Sequence, residues 1–559
     1  MCPILRRAVL AVACGSMFVL AGCGRHVASN APITFAPADT PYLFANFKAR
    51  PEAAAQAWGQ ANDAAISARI RQVGKFAALI SDKDPVTAKL AEAMQAELAD
   101  VHSPEALERA TGFSQSALFA IYGIGDVPVA RIGLASPEAF KTLWARVEKR
   151  AGITRPTATI AGQTYWIDAI GNTRLRFLVA IEGKQLVVTV APANASKTTL
   201  KQLLGLTKPA SNAADRLARI DSQHGYSDYG SGYLDTPKLF ANLFSSKDAI
   251  TREFTKDLGG SLADPACANE FATLANQVPL VSAGFETYSA SEIRGSLDAR
   301  LSPALLGVLT ALKQSVPGMG ETQDTSMFDM VLALPLEKWQ AFLRSRAEAA
   351  AGKTYQCPAL GPLNRFAKNA SNPPVRMPPE VHSLLGFRVV LDQWDIGPRI
   401  AGRALVATTD PAALAQRVQQ TLPQFALKTI PTDGRPIAFN LPAGIQARLG
   451  SGRQGWIAAN ANALAVGLGS GEETKLTDAL NAPAGNGDML LRMHVDGRMY
   501  PLLGSWIERF ATRMPSASQA QAQQQAAVFT TMGKMIKSCD LDVKLDGKGL
   551  HFESVAYHR

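Results

Sequence analysis

Long apolar runs are missing from most of this chain of 559 residues. Past the first two dozen positions, no stretch approaches the roughly 18 consecutive apolar residues that a membrane-crossing helix needs. Cysteine is scarce, with six residues, and no two are spaced as CxxC, which excludes a thioredoxin-like redox site. Seven histidines (His26, His102, His224, His382, His494, His551 and His558) are scattered, and none forms an HxH or HExxH pair for zinc. His551 and His558 stand seven apart on an expected terminal strand and so fall on opposite faces. There is no GxSxG nucleophile elbow. Charged residues make up only 19%, and the basic ones are dispersed, without a cluster of five or six. No nucleic-acid recognition motif is present, so nucleic acid is not an expected partner. Nothing in the chain implies a cofactor or a metal.

What is present begins at the N-terminus. Arg6 and Arg7 precede an apolar run from Ala8 to Leu20, thirteen residues broken only by Gly15 and Ser16. That is too short to span a bilayer of about 30 Å as a helix, and it fits the core of a signal peptide. The run ends in Leu20-Ala21-Gly22-Cys23. This order of charge, apolar run, small residues and cysteine resembles the lipobox of exported bacterial lipoproteins. The resemblance implies that residues 1–22 are removed and that Cys23 carries lipid, anchoring the chain to a membrane. Each buried methylene contributes about 0.8 kcal/mol, so two or three acyl chains make a firm anchor. Gly24 stands where an aspartate favours inner-membrane retention in enterobacterial lipoproteins. The expected location is therefore the outer membrane, facing the periplasm.

Residues 23–38 are rich in small residues and proline and read as a lipidated tether. The remainder has the composition of a folded body, since the chain is 47% hydrophobic. Without Arg6 and Arg7 it holds 55 basic and 47 acidic residues, a formal +8. The plain reading is a solvated basic surface; the sharper one is attraction to lipopolysaccharide or peptidoglycan. With the signal removed and Cys23 lipidated, Cys267, Cys357 and Cys539 remain. An oxidising compartment permits one internal bridge, and sequence alone leaves the pairing open. Cys267 with Cys357 is favoured, because both lie in loop-like stretches beside expected helices.

The same order of elements occurs twice. Two alternating runs after Ser116 lead into a helix opened by Ser136-Pro137. Two more after Ser383 lead into one opened by Asp410-Pro411. Proline suits a first helical position, and the preceding Ser or Asp can cap. A short strand, a hairpin, a short helix, a strand entering an amphipathic helix and a closing hairpin then follow in both halves. The expected fold is α+β. It comprises two similar domains from a divergent duplication, residues 39–320 and 321–559, with mainly antiparallel sheets and helices packed on one face. Asp235 and Asp496 fall at matching places; the expected role is a helix N-terminal turn, with a shared ligand contact as the alternative.

Other motifs yield to local structure. Gly450-Ser-Gly-Arg-Gln-Gly455 fits GxGxxG, but Trp456 onward continues as a strand, so a hairpin turn is expected. Gly352-Lys353-Thr354 lacks the earlier glycine of a phosphate loop, since position 347 is Ala347. Asp82, Asp84, Glu472 and Glu473 suit helix starts. Phe240, Leu243 and Phe244, with residues 118–124, read as core before they read as an apolar pocket. The layout resembles the two-copy envelope lipoproteins of Gram-negative bacteria. The expected role is non-enzymatic binding or scaffolding by a membrane-held protein, with an envelope protein or the lipopolysaccharide or peptidoglycan surface as partner. A carrier of lipid or another apolar ligand is the alternative, and a hydrolase with an unrecognised site the third reading.

Overall fold

The computed structural model describes residues 28–559 except 60–65, 68–69, 71–72, 74–84, 115, 171–173, 246–250, 252–264, 322–324, 353, 372–381, 395–399, 428, 445, 447–453 and 513–515. Its contacts divide the chain into Met1–Leu297 and Asp298–Arg559. Both units are α+β with antiparallel strand pairing. No described helix is long and apolar enough to cross a membrane.

The first unit contains strands β1 (Tyr42–Ala45), β2 (Phe119–Ile124), β3 (Val127–Gly133), β4 (Thr157–Ile160), β5 (Gln163–Ala169), β6 (Leu175–Glu182), β7 (Gln185–Pro192), β8 (Ser231–Asp235) and β9 (Leu280–Tyr288); β10 (Glu292–Arg300) crosses its end. Its helices are α1 (Glu52–Gly59), α2 (Pro85–Glu97), α3 (Pro104–Thr111), α4 (Pro137–Ala151), α5 (Lys197–Leu203), α6 (Ala214–His224), α7 (Thr236–Ser245) and α8 (Pro265–Ala275). The strand order is β4-β5-β6-β7-β3-β2-β1-β8-β9-β10.

The second unit contains α9 (Pro303–Thr310), β11 (Phe328–Ala333), α10 (Leu336–Gly352), α11 (Gly361–Ser371), β12 (Leu384–Trp394), β13 (Ile400–Thr408), α12 (Pro411–Thr421), β14 (Ile437–Asn440), β15 (Gln454–Ala459), β16 (Ala463–Leu468), α13 (Glu472–Asn481), β17 (Met489–Asp496), α14 (Met499–Ala511), α15 (Ser516–Met535), β18 (Ile536–Leu545) and β19 (Gly549–His558). Its strand order is β14-β15-β16-β13-β12-β11-β17-β18-β19. This is the order of the first unit without β4.

Register agrees as well as order. Tyr42 lies opposite Leu234, the residue before Asp235. Phe328 lies opposite Val495, the residue before Asp496. A one-residue slip would turn every side chain to the other face, so matched register means matched faces.

The expected caps form. Ser136 Oγ accepts from Ala139 N at 3.1 Å, and Asp410 Oδ1 accepts from Ala413 N at 3.0 Å. Gly152 closes α4 with φ +65°, a left-handed C-cap.

Three expectations change. Helices cover both faces of each sheet. In the first unit Leu217 and Ile220 of α6 pack with Leu178 and Val187, while Phe140 of α4 packs with Val179 and Leu186 from the opposite face. In the second, Leu476 of α13 joins Ala458 and Ala465, and Ala415 of α12 joins Ile457 and Leu464. The reason is in the strands: Leu178-Val179-Ala180-Ile181 is continuously apolar, so both pleat faces need cover.

The boundary also moves. Residues 298–320, expected in the first domain, belong to the second unit. His551 Nδ1 meets Asp298 Oδ1 at 2.9 Å, Leu301 N donates to Lys548 O at 3.1 Å, and Gly318 N donates to Pro483 O at 3.1 Å. The body also starts earlier than residue 39. Pro32–Phe35 forms a 3-10 turn, and Ile33, Phe35 and Ala36 are buried in the first core.

Candidate functional site

Each unit buries an arginine within its sheet. Arg131 of β3 is 0% exposed. Its Nε donates to Gln185 Oε1 at 2.8 Å, Nη2 to Glu182 Oε2 at 2.8 Å and Nη1 to Leu204 O at 3.2 Å. Burial pulls its pKa below the ordinary value, against the opposing pull of Tyr122 and Glu182. Arg388 of β12 is 1% exposed and grips Asp329 with two bonds, Nε to Oδ1 at 3.1 Å and Nη2 to Oδ2 at 2.9 Å. A forked pair of this kind fixes both position and orientation.

The two arginines hold opposite ends of one cross-strand position. Arg131 faces Ala120, and Arg388 faces Leu405. By the shared register, Ala120 corresponds to Arg388 and Arg131 to Leu405. Each guanidinium also lies where a glycine leaves room. Gly205 (φ +75°) abuts Arg131, Gly318 (φ +89°) abuts Arg388, and a Cβ on either glycine would collide with the arginine.

The second unit continues this polar layer as a ladder. Asp329 stands opposite His494 of β17, which stands opposite Asp540 of β18. His494 Nδ1 and Asp540 Oδ1 are 2.6 Å apart. Arg492 holds Asp542 with two contacts of 3.3 Å, and Lys544 reaches Asp542 at 3.4 Å and Glu553 at 3.3 Å. Beside α13, Arg403 contacts Asp392 at 2.8 Å and Glu472 at 3.5 Å, and Lys475 contacts both carboxylates. Burial raises the Glu472 pKa. Burial also pushes on Asp392, but the hydrogen bonds from Lys475 and Arg403 prevail and lower it. In the first unit the register equivalents of Asp329, His494, Asp540, Arg492 and Asp542 are Leu43, Tyr233, Ser282, Ser231 and Gly284. The ladder therefore belongs to one unit. Among the described residues, no group of three or more His, Cys, Asp or Glu side chains is placed to hold a metal ion.

The residues singled out from sequence fall in several places. Cys23 lies outside the described residues, as do Asp82, Asp84, Lys353 and Gly450. Cys267, on α8, is buried and disulfide-bonded; Cys357 is likewise buried and disulfide-bonded. Cys539 is a free thiol whose pKa burial raises. Asp235 accepts from Lys238 N at 3.0 Å and Arg216 Nη2 at 2.7 Å. Asp496 accepts from Arg498 N at 2.7 Å and from its guanidinium at 2.8 Å. Both aspartates thus serve helix-entry turns. Phe119 and Tyr122 are core. Phe240 and Phe244 of α7 stack with Phe271 of α8, at centroid distances of 5.0 and 5.2 Å.

Sequence reading missed the surface of α14. Trp506 is 55% exposed and Phe510 46%, and their rings stack at 5.5 Å. Their i,i+4 spacing was the available signal. Protein-family models, curated proteins and solved structures give no match to this chain.

Proposed function

We propose that this chain is a lipid-anchored, periplasm-facing envelope protein in which two copies of one α+β domain serve binding or scaffolding rather than catalysis. Two observations support the parts of this reading. The LAGC signal ending at Cys23 supports the anchor, and Gly24 in place of an aspartate supports the outer-membrane location. The common strand order and register of the two units support descent from one duplicated domain.

The exposed Trp506–Phe510 stack carries the binding role. Large stacked aromatics left open to water are typical of surfaces that bury on a partner. The matching partner is an envelope protein with an apolar patch. The carrier reading has less support, because the rings on α7 and α8 fill one another's space.

A photo-crosslinking residue in place of Trp506 tests the role in cells. A discrete adduct from position 506, and none from the exposed Arg435 position, is expected. Equal labelling from both positions would count against a binding face there. For the anchor, Cys23→Ala should release the protein from carbonate-washed membranes, and continued sedimentation would remove the lipid as the anchor.

A further inference from the structure

The chain enters the first unit under restraint. Lys208 Nζ donates to Ser29 O at 2.7 Å and to Asn30 Oδ1 at 3.0 Å. Gln185 Nε2 donates to Asn30 O at 2.6 Å. Thr34 Oγ1 donates to Ala31 O at 2.7 Å. Below these bonds, Phe35 lies under the Arg131 guanidinium, 3.6 Å from ring centre to Cζ, and Lys208 Nζ sits 5.0 Å from the same ring. The buried arginine thus helps pin the start of the chain.

This clamp sets a length. Six residue steps separate Cys23 from Ser29, so their Cα atoms are at most about 22 Å apart. A tether free to residue 38 would reach about 54 Å. Beside the clamped residues opens a cleft of about 900 Å³, with Ala28, Asn30, Ser116, Lys184 and Lys208 among its lining. Lys184 is exposed at the β6–β7 turn. The acid on this rim, Glu182, is engaged by Arg131. The rim therefore presents positive charge beside Ala28, the first described residue after Cys23.

We propose that the clamp holds this cleft against the lipid surface, so that Lys184 and Lys208 meet the phosphate headgroups of anionic phospholipids in the leaflet that receives the anchor. The inference rests on lipidation of Cys23. The short reach matters because screening confines charge attraction to within about 8 Å of the surface at physiological salt. A body on a long tether spends little time that close, and one held by six residues stays near.

The test uses full-length lipidated protein on vesicles of mixed phosphatidylglycerol and phosphatidylcholine. Flotation first establishes attachment. Acetylation of Lys184 by a water-soluble reagent is then followed by mass spectrometry, with soluble Cys23→Ala protein as the reference. Several-fold slower acetylation on the vesicles is expected. The slowing should be lost when eight Gly and Ser residues are inserted after Gly24, although that protein still floats. If the floated wild type is acetylated at Lys184 as fast as the soluble reference, the inference is overturned while the anchor stands. Equal slowing on pure phosphatidylcholine would overturn the headgroup-charge part. If the protein does not float, the lipid reading fails and this inference fails with it.

Discussion

Arg388 shows what a single buried charge does to this fold. Its guanidinium is nearly sealed from water, and Asp329, itself 8% exposed, is its main partner. Removing one member of such a pair strands the other, at a cost of about 3–5 kcal/mol. Arg388→Ala should lower the urea midpoint of the second unit by a corresponding amount. The double variant Arg388→Met with Asp329→Leu should recover most of the loss, because no charge is then stranded. A loss in Arg388→Ala below about 1 kcal/mol would mean that Asp329 finds water or another donor.

His551 gives a pH test at the same scale. Its hydrogen bond to Asp298 is the largest influence and raises its pKa above 6.5. A histidine that binds its proton more tightly when folded contributes stability that is complete below the unfolded pKa and lost as pH rises through the folded one. The stability difference between wild type and His551→Gln should therefore be greatest near pH 5.5 and close toward pH 8–9. A difference that grows with pH would contradict the assignment.

At the scale of elements, the helix entries were legible because their causes are local. Ser136-Pro137 and Asp410-Pro411 announce caps within two residues, and the side chains bond as expected. Ser136→Ala and Asp410→Ala should each cost about 1 kcal/mol in denaturant unfolding, and neither should alter the strand pairing. The continuation of Trp456 into a strand was equally readable. The arginine networks were not, because their causes are remote. Glu182 lies 51 residues from Arg131, and Asp329 lies 59 from Arg388. An arginine among alternating residues reads as a solvent-facing position until its partner is known. Glu472 was read as a helix-start charge and sits there, yet it is also buried against Arg403. Cover on both sheet faces was missed because alternation was sought where residues 178–181 of β6 and 186–188 of β7 are continuously apolar.

At the scale of the whole molecule, the recurring strand order ties the sequence pattern to the proposed duplication. The two units differ in polarity at matching register positions: Leu43 and Tyr233 in one stand where the other has Asp329 and His494. Non-reducing peptide mapping should yield one peptide linked through Cys267 and Cys357, with Cys539 alkylated only slowly, as a half-buried thiol of raised pKa should be. A link from Cys539 to either partner would sink that pairing. Everything proposed about location depends on Cys23. The most direct measurement is the mass of the N-terminal peptide from protein purified out of membranes. Lipidation predicts a peptide that begins at Cys23 and carries a diacylglyceryl group, with or without a third acyl chain. An unmodified Cys23, or a chain that still includes residues 1–22, would contradict it.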